Sequence, residues 1–185
     1  MDNYSNDKLI FEGHYLNGYK IDGKEYFENN RKLLFEGIYL YNFKIKGKYY
    51  LNGKLEFEGE FLFGNKFNGT GYDESGNIAY VLKNGKGKVK EYYYYYSGIS
   101  KFEGEYLNGK RNGKGKEYNI MGELEFEGEY LNGKRNGKCT EYDYDRGHKF
   151  EDEYLNGYRN GKFKGYDENG NLISEKEFLK GCLVN

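Results

Sequence analysis

The chain has 185 residues, with 29 Lys plus Arg against 30 Asp plus Glu and a formal charge of −1. Such a balance disfavours a nucleic-acid binder, because phosphate recognition calls for a clear basic excess. The 23 Tyr, 13 Phe and 28 Gly, with no Pro, exclude collagen, argue against disorder and point to β-structure.

Internal repetition organises nearly the whole sequence. Phe102–Lys114 recurs residue for residue as Phe126–Lys138, an offset of 24. In chain order, weaker copies begin at Phe11, Phe35 and Phe57, a degenerate one near Ile78, and the two matching copies at Phe102 and Phe126. Another weaker copy begins at Phe150, and a truncated one starts near residue 174 and ends around Phe178-Leu179-Lys180-Gly181. The anchors are spaced 24, 22, 21, 24, 24, 24 and 24, so eight repeats fill residues 1–185 as a single repeat domain, leaving no room for a separate catalytic domain.

Each repeat reads as a β-hairpin. Phe102, Gly104 and Tyr106 alternate with Glu103, Glu105 and Leu107, a period of two that puts the two sets on opposite faces. Asn108-Gly109 supplies the left-handed positions of a tight turn, and Lys114–Tyr118 forms the returning strand. A helix is excluded by four or five glycines per full repeat, each costing about 1 kcal/mol against Ala. The expected fold is all-β: an elongated antiparallel meander of about eight stacked hairpins, solenoid-like, as one twisted or trough-shaped sheet. At ~4.8 Å per strand, some sixteen strands span roughly 70–75 Å. Glycine between two rings removes a side chain where a neighbouring ring can lie, so Phe-x-Gly-x-Tyr reads as a packing rule.

The pattern Phe-Glu-Gly-Glu-Tyr-x-Asn-Gly-Lys-x-x-Gly-x-Gly, carried most fully by Phe102–Gly115 and Phe126–Gly137, resembles the MORN repeat, whose usual form is Tyr-x-Gly-x-Trp-x-x-Gly-x-x-x-Gly-x-Gly. The resemblance covers about residues 9 to 181. The Trp position holds Tyr or Phe throughout (Tyr15, Tyr39, Phe61, Tyr106, Tyr130, Tyr154), which is closer to the MORN-variant repeats common in bacteria. The resemblance implies scaffolding, protein docking and membrane-proximal roles, and some proteins with the bacterial variant are classed as antitoxins.

Candidate chemistry is sparse. In Gly113-Lys114-Gly115, Gly137-Lys138-Cys139 and Gly161-Lys162-Phe163 the third residue changes size, which reads as an inward position filled to different depths. Cys139 is therefore expected to be structural, and Cys182 to be a free thiol in the last strand or the tail. His14 and His148 have no Ser or Cys partner at a useful spacing, so no catalytic residue, metal site or cofactor is expected. Gly18–Glu25 imitates a phosphate loop but ends in Glu and lies in a hairpin. Glu12, Glu36, Glu58, Glu103, Glu127 and Glu151 share one repeat position and read as a scaffold ladder, offset by cross-strand lysines such as Lys116.

Two surfaces remain as candidates. Alternate turns collect on one edge of a meander, which gathers a basic set including Lys110, Arg111, Lys134, Arg135 and Arg159, read as solvated turns or as a docking edge for anionic lipid or an acidic protein. The opposite edge carries Asp73, Glu74, Asp143, Asp145, Asp167 and Glu168. Tyr92, Tyr93, Tyr94, Tyr95 and Tyr96 break the alternation, which suits a protein-binding patch, a second packed layer in a trough, or simple composition bias.

The expected function is a non-enzymatic scaffold or adaptor for another, unidentified protein. The alternatives are an antitoxin-type inhibitor and a peripheral binder of anionic lipid. No nucleic-acid partner is expected, and an open sheet edge allows a homodimer. No run approaches ~20 apolar residues and Met1–Leu9 is polar, so a cytoplasmic location, membrane-proximal on the lipid reading, is expected.

Overall fold

The computed structural model describes residues 9–27, 31–93, 96 and 98–184. Among them there is no helix, and the strands are antiparallel and paired with their sequence neighbours. The chain divides into two compact units, residues 1–87 and 88–185.

The first unit holds a seven-stranded sheet in sequence order. Its strands are β1 (Leu9–Leu16), β2 (Tyr19–Phe27), β3 (Leu33–Leu40), β4 (Phe43–Leu51), β5 (Lys54–Leu62), β6 (Asn65–Tyr72) and β7 (Ile78–Leu82). The second sheet has ten strands and begins at β8 (Gly87–Tyr92). It continues through β9 (Ser100–Leu107), β10 (Lys110–Tyr118), β11 (Leu124–Leu131), β12 (Lys134–Asp143) and β13 (His148–Leu155). It ends with β14 (Tyr158–Arg159), β15 (Gly161–Tyr166), β16 (Leu172–Leu179) and β17 (Cys182–Leu183). The all-β hairpin meander is thus present, but strand pairing runs in two sheets rather than one. The change falls at the degenerate repeat, where Lys83 and Lys86 make only an isolated bridge.

The packing rule read from the sequence holds. In the first unit glycines face one another across six strands, Gly13–Gly23–Gly37–Gly47–Gly59–Gly69. A Cβ on Gly37 would lie 2.2 Å from the Lys46 carbonyl oxygen and 2.8 Å from the tip of the Phe35 ring. Phe rings lie down on this stripe, so each sheet builds a core on one of its own faces. Phe35, Phe57 and Phe102 are fully buried, with Phe126 close behind. Tyr39 and Phe61 close over Phe35 edge-to-face at 5.3 and 5.5 Å, as Tyr106 and Tyr130 close over Phe102 at 6.2 and 5.3 Å.

In the second unit the stripe runs Gly104–Gly115–Gly128 and then meets Cys139 and Asp152. Cys139 and Phe163 are buried, so the position is inward and filled to different depths. An extra residue also enters the returning strand. Five steps separate Lys20 from Glu25, but six separate Arg111 from Glu117. The surplus forms a bulge at Gly113, whose φ of +93° favours glycine and whose Cβ would collide with the Glu105 carboxylate.

Candidate interaction surface

The two faces of each sheet carry different charge patterns. On the face away from the rings, Glu12 pairs with Lys24, Lys24 with Glu36, Glu36 with Lys48 and Lys48 with Glu58. The second unit repeats this with Glu103, Lys116 and Glu127. These carboxylates therefore form the cross-strand ladder expected of them, each exposed pair worth about 0.2–1 kcal/mol. The Tyr50 hydroxyl donates to Glu36 at 2.6 Å and, with Lys24, holds that carboxyl below the usual range.

The ring face holds a second ladder that the sequence did not suggest. In six repeats the second aromatic of the first strand stands opposite a cation: Tyr15 and Lys20, Tyr39 and Lys44, Phe61 and Lys66, Tyr106 and Arg111, Tyr130 and Arg135, Tyr154 and Arg159. Each cation turns inward over a phenylalanine. The Arg111 and Arg135 guanidinium carbons lie 4.0 and 3.9 Å from the Phe102 and Phe126 ring centres. Lys20 and Lys44 lie 4.5 and 4.9 Å above Phe11 and Phe35.

Acids complete the row. Arg111 grips both oxygens of Glu91 at 2.9 and 2.8 Å and reaches Glu117 at 2.7 Å. Arg135 bonds to Glu117 and approaches Glu141 at 3.6 Å. Arg159 joins Glu141 at 3.0 Å to the fully enclosed Asp152 at 2.7 Å. Burial raises the Glu117 carboxyl, but hydrogen bonding and charge from Arg135 and Arg111 more than reverse this and hold it below its usual range. Asp152 goes the other way: burial outweighs Arg159 and the Glu153 amide, and its pKa is pushed up to about 6. Burial likewise lifts the neighbouring Cys139 thiol to about 12, so it is held as an unreactive thiol.

This geometry divides the basic edge. Lys110 and Lys134 are exposed at turns, as expected. Arg111, Arg135 and Arg159 are half-buried and ion-paired, because the strand alternation after the first residue past each turn, Lys110, Lys134 and Tyr158, points the next residue into the ring face. They are part of the core rather than a solvated docking edge. The acidic edge is also partly committed. Asp73 accepts the backbone N–H groups of Ser75 and Asn77, both at 2.9 Å, and Asp167 does the same for Asn169 and Asn171 at 3.0 and 2.8 Å.

Of the tyrosine run, Tyr94 and Tyr95 lie outside the described residues. Strand β8 ends at Tyr92. Tyr92 and Tyr93 are half-buried, and Tyr93 donates its hydroxyl hydrogen to the Tyr118 carbonyl at 2.6 Å. Tyr96 is exposed and meets Tyr93 edge-to-face at 6.2 Å. His14 is exposed beside Asp22 at 2.7 Å, and Cys182 is an exposed free thiol.

A surface missing from the sequence reading lies on the turn edge of the first unit. Its first three hairpin turns are Leu16-Asn17-Gly18-Tyr19, Leu40-Tyr41-Asn42-Phe43 and Leu62-Phe63-Gly64-Asn65, and none contains a charge. Tyr41 and Phe63 are 66% and 78% exposed. Both sit at positive φ, +47° and +48°, where corresponding hairpin turns of the repeats place Asn17 in the first unit and Asn108, Asn132 and Asn156 in the second. Tyr19 and Tyr41 pair edge-to-face at 5.5 Å, and Asn42 Oδ1 accepts the Lys20 amide hydrogen at 2.8 Å, so the first two turns touch. The legible signal was the replacement of Asn-Gly by Tyr-Asn and Phe-Gly within otherwise similar repeats.

No protein-family model matches the chain, and no curated protein matches it. Among the described residues no helix is long and apolar enough to cross a membrane, and no group of three or more His, Cys, Asp or Glu is placed to hold a metal ion.

Proposed function

We propose that the chain is a non-enzymatic interaction scaffold of MORN-like repeats that displays its turns to a protein partner. One observation carries this reading: the inner face keeps one plan, ring, cation and stripe, from repeat to repeat while the turn tips change in kind. Phenylalanine, the facing cation and the glycine stripe recur in both sheets. The turn tips pass from Tyr19, Tyr41, Phe43 and Phe63 in the first unit to Lys110 and Lys134 in the second. A fixed frame with variable tips is how repeat proteins separate stability from recognition. The charged ladders support this, since most of their groups are bonded within the sheet.

The inhibitor reading uses the same surfaces and differs only in the partner. The lipid reading rests on fewer cations than the sequence offered, since Arg111, Arg135 and Arg159 are tied to acids. The test is capture of partners from native lysate on the tagged chain, at low and high salt. A stoichiometric protein other than the chain itself that survives high salt and is lost on replacing the turns of either unit supports the scaffold. Capture of salt-labile membrane material alone, abolished by Lys110→Glu and Lys134→Glu, overturns it in favour of lipid.

A further inference from the structure

The apolar turn ridge of the first unit has three properties that together select an occupant. The first is its area. Leu16, Leu40 and Leu62 stand 62%, 55% and 42% exposed beside the turn rings Tyr19, Phe43, Tyr41 and Phe63. At about 200 Å² per side chain, the solvent-facing part of this set is roughly 800 Å². Monomeric proteins seldom leave a contiguous apolar patch beyond about 300–600 Å² in water. The figure matches the area of about 800 Å² that each partner contributes to a standard interface.

The second property is strain. A bulky side chain at positive φ is unfavourable, and in this fold the position is normally Asn. Tyr41 and Phe63 accept that conformation while their rings gain little burial. Within the chain Tyr41 gains an edge-to-face contact with Tyr19, while Phe63 stands 78% exposed. Backbone strain held at an exposed aromatic points to a use for the ring.

The third property is charge. The three turns carry no Asp, Glu, Lys or Arg. A surface that meets its own copy across a two-fold axis places like against like, so any charge near the axis would repel. The first unit's ridge passes that test, whereas Lys110 and Lys134 make the corresponding turns of the second unit fail it.

We infer that the first unit's turn ridge is a self-association surface and that its occupant is the same ridge of a second copy of this chain. Consecutive hairpin turns are two strand spacings apart, about 10 Å, so three turns make a ridge of roughly 20 Å. Under two-fold symmetry the first turn of one copy lies against the third of its partner, and the middle turns, with Tyr41 and Phe43, meet at the axis. Rings packed edge-to-face across that axis repeat the Tyr19–Tyr41 geometry already present within one chain. This goes beyond the scaffold reading: dimerisation through one unit leaves the turns of the other for a different partner.

The experiment is sedimentation equilibrium of the full chain across a concentration series, on wild type and two variants. Wild type is expected to pass from 21.8 kDa to twice that, 43.6 kDa, with rising concentration. Tyr41→Lys/Phe63→Lys brings like charges to the interface and is expected to stay monomeric. Tyr41→Asn/Phe63→Asn relieves the backbone without adding charge, stays folded, and is expected to weaken association at least tenfold. Leu131→Lys, on the second unit, leaves the dimer intact. A wild type that remains monomeric up to about 1 mM, or variants that dimerise like wild type, overturns the inference. So does a ridge that instead partitions onto neutral phosphatidylcholine vesicles and loses this in the Lys variant. The scaffold reading fails separately, if a ridge-disrupted monomer and wild type both capture no protein.

Discussion

The two units solve one packing problem with different cations. Both lay a phenylalanine on a glycine floor and cover it with a side chain from the neighbouring strand. The first unit uses Lys20, Lys44 and Lys66, and the second Arg111 and Arg135, while Arg159 lies over Phe163, a ring that fills the stripe position itself. An ammonium is a compact charge, so Lys20 and Lys44 converge on Glu25 from either side at 2.7 and 2.8 Å. Where the next acid is due the sequence has Tyr49, and Lys44 and Lys66 lie 5.8 and 5.5 Å from its ring. A guanidinium is a planar fork that can stack on a ring while bonding an acid on each side. The second unit therefore runs unbroken from Glu91 through Arg111, Glu117, Arg135 and Glu141 to Arg159 and Asp152. In the first unit Glu25 couples two repeats and Tyr49 then interrupts the row, whereas in the second an acid stands between every pair of arginines.

The sharpest way to break the comparison is to remove one cation from each row. Arg135→Ala takes one cation from each of two half-buried acids, leaving Glu117 to Arg111 and Glu141 to Arg159, and uncovers Phe126, so a loss of about 3 kcal/mol is expected in denaturant unfolding. Lys44→Ala leaves Glu25 its bond to Lys20 and is expected to cost about half as much. Equal losses would show that the arginine row is not coupled.

The glycine floor comes next. Gly37→Ala drives a methyl group into the Lys46 carbonyl and the Phe35 ring, with an expected loss of about 3 kcal/mol. At the stripe position that already holds a side chain, Cys139→Ala is expected to cost only about 1 kcal/mol. A tolerant Gly37 would show that rings do not rest on the stripe.

Asp152 gives a smaller effect with a definite sign. Its folded pKa of about 6 lies above the ordinary 3.8, so folding favours its protonated form. Its contribution is therefore most favourable below about pH 4 and is lost as pH rises through 6. Asp152→Asn is expected to remove this dependence and to gain about 1–2 kcal/mol at pH 8. The difference between variant and wild-type stability, measured from pH 4 to 8, isolates it from Glu25 and Glu117. Those two carboxyls are held low by their cations and so stabilise above their ordinary range and lose that contribution as pH falls. A difference that does not vary with pH would show that Asp152 is not held protonated. The smallest effect belongs to the turns, where Tyr41→Asn is expected to gain about 0.5–1 kcal/mol by relieving a left-handed tyrosine.

Much of this was legible in the sequence. Phe102, Gly104 and Tyr106 announced their shared face, Asn108-Gly109 its turn, and Lys116 its place between Glu103 and Glu127. The inward arginines were not legible, because a charged residue beside a turn ordinarily points to water. The ring beneath and the two acids aimed at its guanidinium make burial of Arg111 favourable. The division into two sheets was hidden for another reason: the degenerate repeat at Ile78 still reads as a hairpin, with only a shortened spacing of 21 and the loss of Phe and Gly to mark it. The ridge was overlooked because Tyr41 and Phe63 occupy slots that turn chemistry assigns to Asn. They were visible only as departures from a rule already in use.

If the first unit's turns serve self-association, the core face fixes the fold while those turns are kept for binding at some cost to stability. The most direct test measures both quantities on one protein, Tyr41→Asn/Phe63→Asn, by denaturant unfolding and by sedimentation equilibrium. The expected result is a more stable chain that no longer associates. A less stable chain, or one that associates as wild type does, would contradict it.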